Sequence, residues 1–225
     1  MKLYGHPWSV NTRKSLVTAA EKGHELPLAL VMLPTGEHHQ PAYREIHPFA
    51  KVPALDDDGF VLYEARAIDA YLDRVLAGPA LVPARARDAA RMEQWIGVAD
   101  AYFAPSAQPL IVELLFRRYL GGDQNQAAIA AGRSGIEAVL EVLDGALGSA
   151  PYLAGDTFSL ADIYWLPYVD YLRQIGEGAP IERRANVAAW ATRVIARPAW
   201  QAVARSGPQP YEANMTADVI AKRYR

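Results

Sequence analysis

The sequence predicts two parts of different class: a small mixed α/β unit followed by an all-helical one. The first quarter alternates strand-like and helix-like runs. From about residue 84 that alternation stops, and helical segments rich in alanine and leucine follow one another. Where the texture changes, "AGPALVPARA" (77–86) sets two prolines and a glycine together, the pattern of a linker. The 225 residues, 51% of them hydrophobic, suffice for one large core or two small ones.

Residues 2–5 make a short strand, and residues 10–22 a helix with Val10, Leu16, Val17 and Ala20 on one side. Gly23 stops that helix. The run "LPLALVM" (26–32) is continuously apolar, as expected of a strand buried on both faces. After the polar loop "PTGEHHQPAYREIHPF", the segment "VPALDDDGFVLY" gives two short strands around an Asp-Gly turn, a hairpin signal. "EARAIDAYLDRVL" closes the unit as a helix with Ile68, Tyr71, Leu72 and Val75 three and four apart. The order is β-α-β, loop, β-β-α.

In the second part, residues 86–119 form a long helical stretch that Pro105 and Pro109 kink or split. Residues 124–147 form another helix, its buried side marked by Ile129, Ile136, Val139, Leu140, Leu143 and Leu147. A third starts at Ser159, where Ser159 and Asp162 stand at capping-box spacing and Phe158 and Ile163 at hydrophobic-staple spacing. Asp162 is therefore read as a cap, not as an acid or base. Tyr164, Trp165, Tyr168 and Tyr171 lie at helical spacing and read as core.

Composition excludes several classes of chemistry. A net charge of −2 marks no nucleic-acid surface. The absence of cysteine excludes disulfides, thiolate zinc sites, thiol nucleophiles and any dithiol couple of the protein's own. Met1-Lys2-Leu3 enters a strand with no charged leader, and no apolar run approaches the ~20 residues of a membrane span. The expectation is a cytoplasmic protein without nucleic-acid or membrane partners. His38 and His39 lack a third ligand at useful spacing, and Asp56-Asp57-Asp58-Gly59 fits a hairpin turn better than a cation loop. No metal is expected.

Two stretches hold candidate chemistry. In "LYGHPWSVNTRKSL", Ser9 follows a strand and a His-Pro turn and precedes a helix, so it is either a helix cap or a hydroxyl aimed at a substrate. In "KVPAL" (51–55), a Val-Pro bond entering a strand within this layout predicts a cis Pro53 that turns the Val52 backbone outward, where it can pair with a peptide-like ligand.

The motifs "KLYGHPWS-NTRK", "GEHHQPAYREIHPFAKVPAL", "LYEARAIDAYL" and "YLAGDTFSLADIYWLPYVDYL" resemble, in order and spacing over most of the first 172 residues, the soluble glutathione transferases, most closely the serine-type, phi-like branch. The resemblance implies a thioredoxin-like glutathione-binding domain at 1–77, a linker at 78–87, an all-helical domain at 88–207 contributing the electrophile pocket, and a C-terminal tail at 208–225. It assigns the catalytic role to Ser9; should that role fail, Tyr4 and Asn11 are the next candidates nearby. It places His38 and His39 at the glycine end of glutathione, makes Lys51 the basic residue ahead of Val52-Pro53 in the same binding set, and pairs the Val52 backbone with the cysteinyl unit. Glu64 falls to the γ-glutamyl amine. Position 65, normally a serine that binds the γ-glutamyl carboxylate, is Ala65 here, and Ala50 stands where glycine is common. Trp8, Leu33, Val112, Phe116 and Tyr168 fall on the electrophile pocket. The resemblance further implies a homodimer, through the helix at 64–76 against the stretch at 86–119, with glutathione as co-substrate and no permanently bound cofactor.

The implied chemistry is physically sound. A free thiol ionises near pH 8.5, and lowering that pKa by ~2 units needs ~2.7 kcal/mol of preferential thiolate stabilisation. A hydroxyl hydrogen bond to a charged sulfur contributes ~1.5–3 kcal/mol and a helix N-terminus ~0.3–1. Serine is too weak an acid to be the base, so it acts as a donor. The expected activity is conjugation of glutathione to small hydrophobic electrophiles. Alternatives on the same fold are a non-catalytic binding protein, which Ala65 favours, and glutathione-dependent peroxide reduction or isomerisation.

Overall fold

The computed structural model describes residues 1–117 and 122–205. The predicted tail at 208–225 lies outside them. The chain forms two compact units, Met1–Ala80 joined by the segment from Pro198, and Leu81–Arg197.

The first unit carries β1 (Lys2–Gly5), α1 (Val10–Glu21), β2 (Leu28–Leu30), α2 (Pro41–Arg44), β3 (Ala54–Asp57), β4 (Phe60–Tyr63) and α3 (Ala65–Val75). Two 3₁₀ turns, Leu33–Thr35 and Glu37–His39, precede α2. The strands form one sheet in the order β2-β1-β3-β4, parallel between β1 and β2 and antiparallel elsewhere. Leu3 and Leu55 are paired neighbours and fully buried, and they share a core with Ala19 of α1 and Ile68 and Leu72 of α3. That places α1 and α3 on one face of the sheet. Burying each such Leu or Ile side chain stabilises by ~1.5–3 kcal/mol. The hairpin turns on Asp58 (φ 51°) and Gly59 (φ 91°), the doubly left-handed pair that a two-residue loop requires. Asp56 Oδ1 accepts the Gly59 N–H at 2.8 Å.

One strand differs from its prediction. The run at 26–32 was expected to be buried on both faces, but β2 spans only three residues at the sheet edge, and Leu30 is 52% exposed. Its apolar character serves Leu26 and Val31, which flank the strand and are buried.

Helix α1 is buried well beyond its apolar side. Arg13, Lys14, Ser15 and Thr18 are all enclosed. Ser15 donates to the buried Asp69 of α3 at 2.6 Å, and Lys22 Nζ bonds Asp73 Oδ1 and the Pro79 carbonyl, both at 3.0 Å.

The second unit begins with α4 (Ala86–Val98), a π-turn (Ala99–Phe103), α5 (Ala104–Ile111) and a second π-turn (Val112–Phe116). The predicted interruption by Pro105 and Pro109 takes this form. Pro105 is the second residue of α5, just past the first π-turn, and Pro109 lies inside α5, each lacking the N–H of a regular helix. Helix α6 (Gln126–Leu147) packs on α5. A Cβ at Gly132 would lie 2.7 Å from the Ser106 carbonyl, so this crossing needs glycine.

Helix α7 (Leu160–Gln174) is the buried axis of this unit. It starts on the predicted capping box of Ser159 and Asp162. Asp162 is wholly buried and also accepts the Leu153 N–H (3.1 Å) and Trp190 Nε1–H (2.8 Å). Burial pushes its carboxyl up to about 6 against these hydrogen bonds. Tyr164, Trp165, Tyr168 and Tyr171 are core, as their spacing predicts. Helices α8 (Ala179–Glu182) and α9 (Ala185–Ile195) complete the unit.

The last described helix, α10 (Pro198–Arg205), groups with the first unit by its contacts and packs on α1. Its Trp200 is fully buried, with the Arg13 guanidinium 5.7 Å from its ring centroid.

Candidate active site

β1 ends at Gly5, and the turn His6-Pro7-Trp8-Ser9 leads into α1. Ser9 has an extended backbone (φ −70°, ψ 124°) and caps the helix, its Oγ accepting the Thr12 N–H at 3.2 Å. Its N–H donates to the His6 carbonyl (2.9 Å), and its carbonyl accepts the Arg13 N–H (3.0 Å). The hydroxyl hydrogen has no acceptor among the described residues, and the side chain is half-exposed. The two readings of Ser9 are therefore compatible, because capping uses a lone pair and leaves the proton.

The runners-up are differently placed. Asn11 is exposed on α1. Tyr4 carries the Lys2 ammonium 4.5 Å from its ring centroid.

Val52–Pro53 is cis, as predicted. Pro53 is buried and Val52 half-buried. The Val52 N–H and C=O have no partner among the described residues, whereas the Lys51 carbonyl next to it accepts the Tyr43 hydroxyl at 2.7 Å. Ala50 sits at φ 51°, which explains physically why glycine suits that position: only glycine enters the left-handed region without cost.

His38 and His39 lie in the second 3₁₀ turn with ring centroids 3.9 Å apart, His38 half-buried and His39 exposed. Glu37 anchors this turn by accepting the Met32 N–H at 2.7 Å. Burial lowers the His38 pKa, and the positive fields of His39 and Lys51 lower it further. His47 is lowered by burial, while Glu64 draws it upward and Lys51 pushes it down. Lys51 thus acts on both His38 and His47, and Glu64 on His47. Among the described residues, no group of three or more His, Asp or Glu side chains is placed to hold a metal ion.

Glu64 stands at the N-cap position of α3 with φ 72° and an exposed side chain that does not cap the helix. Ala65 is the first residue of α3 and is buried. The N–H groups of Ala65 and Ala67 have no acceptor among the described residues, leaving a helix start suited to an anion.

Of the residues assigned to the electrophile pocket, Trp8 is buried with its ring edge-on to His6 (5.9 Å), and Leu33 is half-buried in the first 3₁₀ turn. In the other unit, Val112 and Phe116 are half-buried on one π-turn. Tyr168 is buried edge-on to Phe103 (6.0 Å), and burial raises its phenol well above the usual range.

Sequence reasoning passed over His6 and Arg13, which hold the Ser9 turn from both sides. The Arg13 Nε–H donates to the Pro7 carbonyl at 2.8 Å, and His6 Nδ1 accepts the Trp8 N–H at 3.2 Å. A His-Pro pair ahead of a capping serine was the signal available.

A sheet ordered β2-β1-β3-β4 with a cis-proline before its hairpin, joined to an all-helical unit, defines a thioredoxin-like domain followed by a helical one. Residues 1–74 match the family described as glutathione S-transferase, N-terminal domain, and residues 107–198 the C-terminal domain of the same family. The chain belongs to the glutathione S-transferase family. It is 38% identical to glutathione S-transferase 3 of Zea mays, over 93% of this chain and 96% of that one. It superposes on glutathione transferase F7 from Populus trichocarpa with a TM-score of 0.86 at 33% identity, covering 91% and 97% of the two chains. Glutathione S-transferase I from mais, solved in complex with an atrazine glutathione conjugate, gives a TM-score of 0.83 at 30% identity, covering 91% and 96%. The expected family and its plant phi-type relatives are thereby established. No described helix is long and apolar enough to cross a membrane.

Proposed function

We propose that the chain conjugates glutathione to small hydrophobic electrophiles, with Ser9 donating its hydroxyl hydrogen to the thiolate. The observation that carries this reading is the division of labour at Ser9: Oγ caps α1 through a lone pair while the proton remains uncommitted at a helix N-terminus. That geometry supplies the ~2.7 kcal/mol of thiolate preference that conjugation at neutral pH requires.

Around this point, glutathione lies in the first unit. The outward Val52 backbone pairs with the cysteinyl unit, and Pro53 shapes that turn. His38, His39 and Lys51 receive the glycine carboxylate, Glu64 receives the γ-glutamyl amine, and the open start of α3 at Ala65 receives its carboxylate. The electrophile is assigned to Trp8 and Leu33 of the first unit and to Val112, Phe116 and Tyr168 of the helical domain. Detoxification in the cytoplasm, with no permanent cofactor, is the physiological setting this chemistry fits. A homodimer forms through α3 and the stretch at 86–119, where Val75 (46%) and Tyr102 (64%) are exposed apolar side chains on the two surfaces. Mass measurement in solution checks it, and a monomer at micromolar concentration refutes it.

The test of the reaction is a chromogenic electrophile assayed with wild type and Ser9→Ala, alongside the ultraviolet absorbance of bound thiolate. Equal turnover in both proteins removes Ser9 from the mechanism. Ala65 favours the second reading, a glutathione-binding protein without turnover, because one carboxylate donor of the family is missing. Retention on immobilised glutathione without conjugation of any electrophile would support that reading.

A further inference from the structure

We propose that His6 is a positioning residue, whose unprotonated Nδ1 holds the Trp8 N–H and so fixes the turn that aims the Ser9 hydroxyl at the thiol. The proposal rests on the reading of Ser9 given above.

Three contacts carry it. His6 is buried, and its backbone is pinned at both ends: its N–H donates to Thr12 Oγ1 at 3.3 Å, and its carbonyl accepts the Ser9 N–H at 2.9 Å. Its ring closes the loop, Nδ1 accepting the Trp8 N–H at 3.2 Å. The same Thr12 donates its own N–H to Ser9 Oγ. His6 and Ser9 are thus two ends of one ring of hydrogen bonds through Trp8 and Thr12. An amide N–H can be received only by a lone pair, so the ring proton sits on Nε2. A proton on Nδ1 would set two donors face to face and release the Trp8 amide, and with it the backbone one residue before Ser9. Burial and the nearby Arg13 charge both oppose that proton.

The role differs from catalysis by His6 itself, since its ring is enclosed and its Nδ1 is engaged by the Trp8 amide. It also differs from simple packing, since a phenyl ring fills the same space and keeps the edge contact with Trp8 but accepts nothing.

The variants His6→Phe and His6→Asn separate these roles, because asparagine presents an acceptor near the Nδ1 position. The readouts are kcat, KM for glutathione and the pKa of the bound thiol. His6→Phe is expected to lower kcat about three- to tenfold and to raise the thiol pKa by about half to one unit, with KM changed less than about twofold. His6→Asn restores most of both, and on a Ser9→Ala background His6→Phe adds no further shift. A folded His6→Phe protein with the wild-type thiol pKa overturns the proposal, as does the absence of rescue by His6→Asn or an undiminished shift on the Ser9→Ala background. If Ser9→Ala leaves the thiol pKa unchanged, the serine reading fails and this proposal with it. That result is distinct from a shift in Ser9→Ala with none in His6→Phe, which overturns the proposal alone. The ring-nitrogen resonances of His6 in the wild-type protein give a test independent of any variant's folding. A protonated Nε2 and bare Nδ1 at neutral pH support the assignment, and the opposite tautomer overturns it.

Discussion

Ser9 Oγ accepts the Thr12 N–H at 3.2 Å, which fixes the hydroxyl as a helix cap and leaves its hydrogen unspent. The two functions of one oxygen can be pulled apart by substitution. Ser9→Ala loses both, costing about 1 kcal/mol of stability through the cap and about ten- to a hundredfold in kcat through the donor. Ser9→Asp keeps the cap but brings no donor and a repelling charge, so its melting temperature stays near wild type while bound thiolate disappears. Calorimetric melting beside thiolate absorbance measures both. Loss of stability and thiolate in equal measure in Ser9→Asp would refute the separation.

The start of α3 yields a gain-of-binding prediction. The Ala65 N–H points into an uncapped first turn, but the position has no hydroxyl. Ala65→Ser adds one donor to the proposed γ-glutamyl carboxylate, which tightens glutathione binding by about tenfold. Titration calorimetry reads it, and an unchanged affinity would place that carboxylate elsewhere.

How much of this was legible in the sequence depended on how local the cause was. The capping box of Ser159 and Asp162, the Asp58-Gly59 turn, the cis-proline and the Ser9 cap each rest on residues within a few positions of one another, and each was predicted. Features set by distant partners were not. The run at 26–32 announces burial but not position in a sheet, so an edge strand with Leu30 exposed read as one buried on both faces. Arg13, Lys14 and Ser15 look like a solvated stripe until Asp69 of α3 and Trp200 of α10 cover it. The Trp8 N–H to His6 contact is local in sequence but depends on turn geometry that residue types alone do not state.

The Lys22–Asp73 pair ties α1 to α3 with side chains only 2% and 7% exposed. Removing one partner strands the other in the interior, whereas replacing both need not. Asp73→Leu is expected to cost about 3–5 kcal/mol, and Lys22→Met with Asp73→Leu to recover at least half of it. Denaturant melts measure the difference. A double variant no more stable than the single one would mean that the Pro79 carbonyl, also held by Lys22, is the contact that matters.

Two buried titratable groups set opposing pH slopes over the same window. Burial, with Arg13 nearby, lowers His6 from 6.5 to about 4, so the folded state holds fewer protons than the unfolded one between those values. Stability from His6 is present above 6.5 and lost as the pH falls toward 4, by about 3 kcal/mol. Asp162 runs the other way. Burial raises it from 3.8 to about 6, so the folded state holds more protons, and stability present below 3.8 is lost as the pH rises through 6, again by about 3 kcal/mol. Between about pH 4 and 6 the two nearly cancel in the wild type. Replacing His6 by Asn removes the rising slope, so that variant loses stability relative to wild type as pH increases across the window. Replacing Asp162 by Asn removes the falling slope, so that variant gains on wild type over the same interval, from a lower starting level because its capping network is weakened. The readout is the change in unfolding free energy with pH for each variant minus that of the wild type, which cancels every other titrating group. Parallel profiles for all three proteins would mean that neither group's ionisation differs between the folded and unfolded chains.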